Sequence, residues 1–191
     1  EIVRDLHLAA AGLLSRKIGG PSVFPPMPPE VAALSYANNF KWNESQGEDR
    51  YRRGMYTFFK RTAPYPDLMT FDCPDANTTS VRRSVSNTPL QALTTLNATT
   101  FAEAARALGK RMASNEPHGD STRIRELFET VLIRLPSQTE FGKLSNLLTE
   151  ARDAFGRDPV SATKFGGDVE IASWTAIART LLNTDEFITR D

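Results

Sequence analysis

The chain has 191 residues, enough for one domain with a proper core and short for two of ordinary size. Its 23 basic and 23 acidic side chains cancel, which removes the broad basic footprint of a nucleic-acid binder and any general attraction to an anionic membrane. Cys73 is the single cysteine, so an internal disulfide, a CxxC redox pair, a CxxCH haem attachment and a cysteine-rich zinc site are excluded, and only His7 and His118 could act as a histidine base.

In chain order, Ile2, Leu6, Ala9, Ala10, Leu13 and Leu14 recur at helical spacing. They predict an amphipathic helix over residues 1–17, not a signal peptide, with Gly19-Gly20-Pro21 as its stop. No apolar run reaches membrane-spanning length. Residues 21–29 hold five prolines around Val23, Phe24 and Met27, which excludes a helix and predicts an extended segment lying over an apolar surface. Residues 38–49 read as a loop pinned by Trp42. Residues 50–62 fit helical and alternating spacing equally, but Gly54 weakens the helix and the aromatics favour a strand. With Leu68-Met69-Thr70-Phe71 they predict one small β-hairpin.

Thr88-Pro89-Leu90-Gln91 combines an N-cap threonine, a proline at the first helical position and the glutamine of a capping box. The helix it opens is expected to run to about Met112 on the stripe Leu90, Leu93, Phe101, Ala104, Leu108 and Met112, with Asn97 on that stripe. Ser121 is expected to cap a helix that Pro136 ends, and Ser137 with Glu140 forms a second capping box. A break over 156–167 then precedes a last helix carrying Ile171, Trp174, Ile177, Ala178, Leu181 and Leu182. The fold class is therefore mainly α: a bundle of four or five amphipathic helices with a Pro-rich extended segment and one small β-hairpin. The domain expectation is a single unit over 1–191, irregular over 18–87 and helical over 88–191.

Several strings carry a resemblance: Gly20-Pro21-Ser22-Val23, Gly47-Glu48-Asp49-Arg50-Tyr51-Arg52-Arg53, Lys60-Arg61-Thr62 with Pro64-Tyr65-Pro66, and Thr70-Phe71-Asp72. They continue with Val81-Arg82-Arg83-Ser84, Asn87-Thr88-Pro89-Leu90-Gln91-Ala92-Leu93, Leu96-Asn97, Glu103-Ala104-Ala105-Arg106-Ala107-Leu108, and Trp174-Thr175-Ala176 through Asp185-Glu186-Phe187. Together they resemble the PSD-one domain of planctomycete-type bacteria, a domain of unknown function. The resemblance implies the carboxyl-terminal part of a large exported protein, behind a second domain of unknown function and often a c-type cytochrome domain. It implies a periplasmic or cell-envelope location, with any haem held upstream and no cofactor in this chain. Leu135 departs from the Gly-Arg-Pro-Pro-type link of the pattern, and Asn77-Thr78-Thr79 replaces a stretch that often has a cysteine. The family transfers no catalytic residues.

Arg82 and Arg83 lie just before the helix start at Thr88, where free N–H groups and the helix dipole favour an anion that paired guanidinium groups could grip. An anion site would draw on Arg82, Arg83, Asn87, Thr88, Gln91, Lys60, Arg61 and Tyr65. Alternatively the arginines pair with Asp72, Asp75 or Glu103 and fix the loop. The run Arg50, Arg52, Arg53, Lys60 and Arg61, with Tyr51, Tyr56 and Tyr65 interleaved, could stack on sugar rings and hold anionic substituents, or could be a solvated charged face over a buried aromatic row. Asn97 and Asp72 read as structural polar residues, Asn97 tying a neighbouring loop to the helix or, alternatively, holding a ligand. Asp67, Asp72 and Asp75 have neither the spacing of a calcium loop nor a readable glycosidase geometry, so no metal is expected. The preferred function is a non-catalytic structural or ligand-recognition module of an exported, cytochrome-associated protein, partnered by its upstream domains. The alternatives are binding or cleaving an anionic polysaccharide together with an upstream domain, and electron-transfer docking. Nucleic acid is not an expected partner.

Overall fold

A computed structural model of the chain describes residues 1–32, 41–61, 63–74, 79–114 and 118–189. Expectations placed on 38–40, Thr62, Asp75, Asn77 and Thr78 lie outside the described residues. The protein is mainly helical, with α1 (Ile2–Ala10), α2 (Pro29–Ala32), α3 (Pro66–Thr70), α4 (Pro89–Asn97), α5 (Thr99–Ala113), α6 (Asp120–Leu132), α7 (Gln138–Arg157), α8 (Pro159–Phe165), α9 (Val169–Leu182) and α10 (Asp185–Ile188) among the described residues. The chain forms two compact units, one of residues 1–9 and 13–101, the other of 10–12 and 102–191.

In the first unit α1 stops at Ala10, well short of the glycine pair at 19–20, because Gly12 takes a left-handed φ of 73° and the next two amides fold back onto Leu8 O. Its buried face is Arg4, His7 and Leu8, while Ile2 and Ala9 are exposed, so the expected apolar stripe does not face the core. The Pro-rich segment is extended as expected up to Pro28, and Pro29 opens α2. Val23 exchanges backbone hydrogen bonds with 56–58, donating to Tyr56 O and accepting from Phe58 N, both at 2.8 Å.

The expected β-hairpin does not form among the described residues. Residues 47–56 instead make two 3-10 turns, Gly47–Tyr51 and Gly54–Tyr56, and 68–70 lie in α3. The reason is visible at Gly54, where an added Cβ would sit 2.8 Å from Glu1 Cβ and 2.9 Å from Glu1 Cα. The backbone is pressed against the start of α1 there, and the Gly54 amide donates to Asp5 Oδ1 at 2.7 Å. Met27, Tyr65 and Leu68 form the local core, joined by an aromatic series: Phe24 on Phe58 at 5.0 Å, Phe24 on Trp42 at 5.1 Å and Trp42 stacked on Tyr65 at 5.7 Å. Trp42 does pin its loop, its Nε1 donating to Pro25 O at 2.8 Å.

The second unit is built around α9, whose Ala172, Trp174, Ile177, Ala178, Leu181 and Leu182 are buried. Leu144, Leu148 and Ala151 of α7 and Ile124, Leu127, Phe128 and Val131 of α6 supply the rest of the core. The Ser137 and Glu140 capping box forms as expected, Glu140 N donating to Ser137 Oγ at 3.3 Å and Ser137 N to Glu140 Oε2 at 2.7 Å. Three local readings change. Gly119, not Ser121, is the N-cap of α6; α6 ends at Leu132 on a left-handed Ile133, before Pro136; and the expected break over 156–167 contains α8, capped by Asp158. A glycine is needed at 109, where a Cβ would come within 2.6 Å of Thr175 N in α9 and closer still to Thr175 Oγ1.

Candidate functional site

The helix start singled out by the sequence is built as expected. Thr88 Oγ1 accepts from Gln91 N at 3.3 Å, and Thr88 N donates to Gln91 Oε1 at 3.0 Å. The same Gln91, itself buried, donates from Nε2 to Thr70 O at 2.9 Å and to Ser86 Oγ at 3.0 Å. Asp72, held at a left-handed φ of 57°, accepts from both Ser86 N (2.8 Å) and Ser86 Oγ (2.7 Å). Asp72 thus places a carboxylate against the loop before α4.

Around this knot, residues 79–87 are exposed. Arg82 lies on that surface, and Arg83 reaches back to Glu1, Nη1 to Oε2 at 2.8 Å, and not to Asp72. Val81 and Val85 are fully exposed, and Leu90 and Leu93 of α4 are more than half exposed. The expected stripe is therefore wrong for its first two positions. The helix predicted over 88–112 breaks at Ala98 into α4 and α5, and α4 buries Gln91 and Thr95 where Leu90 and Leu93 were expected. Asn97 is exposed in the last position of α4, its Nδ2 donating to Leu93 O at 2.8 Å at the helix end.

Of the other proposed ligand residues, Tyr65 is engaged in the interior. Tyr65 is buried, stacked on Trp42, with its hydroxyl on Pro26 O and Asp67 Oδ2. Lys60 is half-buried and Arg61 exposed. Within the basic and aromatic run, Arg52 is interior: its guanidinium lies 3.9 Å over the Tyr56 ring and donates to Pro21 O at 3.1 Å and to Gly19 O. Arg50 pairs with Glu44 Oε2 at 3.0 Å. Arg4, also buried, donates to Arg52 O at 2.6 Å and Arg50 O at 3.1 Å. Arg4 and Arg52 thus hold carbonyls of irregular loops in place of a sheet ladder.

Sequence reasoning missed two polar clusters. In the first unit, Tyr65 and Asp67 face Arg4, and burial pushes the Asp67 carboxyl up while the Tyr65 hydrogen bond and Arg4 pull it back. In the second, Arg152 bridges Asp120 Oδ2 (2.5 Å) and Glu170 Oε1 (2.6 Å), while Arg123 donates to Asp120 Oδ1 at 2.6 Å and stands 4.8 Å over the Trp174 ring. Trp174 Nε1 completes the network on Glu170 Oε1 at 2.9 Å. The hydrogen bonds from Arg152, more than any other cause, hold the Asp120 and Glu170 carboxyls below their ordinary values. No local motif announces either cluster, because each is completed by an arginine from a helix distant in sequence, Arg4 of α1 in the first and Arg152 of α7 in the second. Among the described residues no three His, Cys, Asp or Glu side chains are placed to hold a metal, and no helix is long and apolar enough to cross a membrane.

Residues 1–148 match the family PSD1, described as a protein of unknown function (DUF1553). The chain belongs to this family. No curated protein and no solved structure gives a match. The matched span contains residues 81–93 with the Thr88 and Gln91 capping box. It ends inside α7, so α9, the central helix of the second unit, lies beyond it.

Proposed function

We propose that this PSD1 chain is a non-catalytic recognition or assembly module of a larger exported protein, and that it meets the upstream domains of that protein through the face formed by residues 81–93. The observation that carries this reading is the solvent exposure of Val81, Val85, Leu90 and Leu93 within one short stretch beside Arg82. Leu90 and Leu93 are three apart on α4 and share its outer face. Single apolar residues on a surface need no explanation, but a run of them next to an arginine has the composition of an interface core. Each such side chain contributes up to about 1.5–3 kcal/mol on burial, against about 0–1 kcal/mol for an exposed ion pair, so apolar contact outweighs charge at this face.

The same arithmetic sets the glycan reading second. An anionic polysaccharide would use Arg82, but the side chains around it are aliphatic, and the Tyr65 and Tyr56 rings offered for sugar stacking are engaged inside the unit. Export, a cell-envelope location and a cytochrome-bearing upstream part belong to this proposal as the setting the resemblance implies. The test is residue-level labelling of 81–93 in this chain and in the full-length protein. Protection in the full-length protein that Val85→Asp with Leu90→Asp removes is the expected result, whereas equal labelling of the two forms sinks the reading. A saturable thermal shift with sulfated or uronic oligosaccharides, lost in Arg82→Ala with Arg83→Ala, would move the assignment to glycan recognition.

A further inference from the structure

Tyr65 has one phenolic hydrogen, yet its Oη has two oxygen neighbours at hydrogen-bonding distance, Pro26 O at 2.8 Å and Asp67 Oδ2 at 2.9 Å. Pro26 O is a carbonyl and cannot donate. Both contacts are full, two-centre hydrogen bonds at once only when Asp67 carries the second hydrogen. With Asp67 ionised the hydroxyl turns to the carboxylate, since a charge-assisted hydrogen bond is about twice as strong as a neutral one, and the buried Pro26 contact is left without a hydrogen. An unmet acceptor in such a place is costly.

We propose that Tyr65, Asp67 and Pro26 form an acid-tightened latch, in which a proton taken up on Asp67 Oδ2 is donated to Tyr65 Oη and the phenolic hydrogen turns onto Pro26 O, fastening the Pro-rich segment to α3. The proton comes from solvent, a carboxylate becomes a carboxyl, and no other bond changes. The groups around Asp67 are consistent with this exchange. Arg4 of α1 is the charge that faces it, Tyr65 at the start of α3 is its titratable neighbour, and Thr100 of α5 adds a neutral hydroxyl beside Tyr65. From α4, which packs on α3, the group that reaches over is the neutral Gln91 amide on Thr70 O. Burial raises the Asp67 carboxyl above its ordinary value, more than the Tyr65 hydrogen bond and Arg4 lower it. The sign follows: for a carboxyl raised on folding, the stabilisation is fully present below the unfolded value and is lost as pH rises through the folded one. The latch is tight below the folded value of Asp67 and slack above it.

The experiment is a carboxyl- and carbonyl-carbon NMR titration of the 191-residue chain, paired with thermal melts of wild type and Asp67→Asn. The carboxamide that Asp67→Asn introduces offers a permanent donor to Tyr65 Oη and mimics the tight state at every pH. Asp67 is expected to titrate above ordinary carboxylates, the Pro26 carbonyl carbon to move with the same midpoint, and the melting difference between variant and wild type to shrink as pH falls through it. A Pro26 signal that ignores the Asp67 titration overturns the latch, with or without a folded variant. So does a melting difference that is flat across the titration or widens in acid.

Discussion

Ile133 closes α6 in the left-handed region, at φ 58° and ψ 26°, with its amide on Glu129 O at 2.9 Å. That conformation costs an L-residue about 1–2 kcal/mol, and a β-branched side chain belongs at the upper end. Replacing Ile133 with glycine removes the clash and leaves the amide bond to Glu129 in place. Two losses oppose the gain. Glycine frees the unfolded chain by about 0.4–1 kcal/mol. Because Ile133 is 76% exposed, only about a quarter of a burial term of about 1.5–3 kcal/mol is forfeited, roughly 0.5 kcal/mol. The balance is a stabilisation of about 0.5–1 kcal/mol, or roughly 2–3 °C in Tm for a chain of this size. Urea and thermal melts of wild type, Ile133→Gly and Ile133→Ala measure it. Alanine keeps the Cβ and should recover less than glycine. A glycine variant that melts below wild type, or an alanine variant that equals it, would refute the argument from backbone strain.

Gly109→Ala should behave in the opposite way although alanine is the better helix former by about 1 kcal/mol, because the new Cβ meets backbone atoms of Thr175 and cannot be relieved by a side-chain rotation. A loss of about 1–3 kcal/mol in a urea melt is expected, and a gain would show that α5 and α9 separate easily. Arg152→Ala leaves Asp120 and Glu170 facing each other's charge with Arg123 alone between them, and should cost about 1–2 kcal/mol at neutral pH after allowance for partial exposure. Both carboxyls are lowered on folding, so their contribution is present above the unfolded carboxylate range and disappears as pH falls through the folded values. The gap between wild type and variant in a pH series of melts should therefore close in acid, and a gap independent of pH would contradict the ion-pair account.

The two acid responses, Asp67 gaining and Asp120 with Glu170 losing, show why part of this molecule was legible in the sequence and part was not. Capping boxes at Thr88 and Ser137 are local devices, complete within four residues, and both form as read. The apolar periodicity of α6, α7 and α9 also reports one local variable, the face turned inward. Where the interior is polar, that variable misleads. The buried face of α1 is Arg4, His7 and Leu8, and that of α4 is Gln91 and Thr95, so a search for apolar stripes selects Ile2, Leu90 and Leu93, which are exposed. The common cause is the backbone of the described residues between 13 and 74, which has two isolated bridges and draws further hydrogen bonds from buried side chains: Arg4 on Arg50 O and Arg52 O, Arg52 on Pro21 O, Gln91 on Thr70 O, Tyr65 on Pro26 O. A loop satisfied in this way needs polar residues inside and releases apolar ones to the surface. The exposed aliphatic face over 81–93 is thus the counterpart of a polar interior, and the energy of covering it is available to a partner.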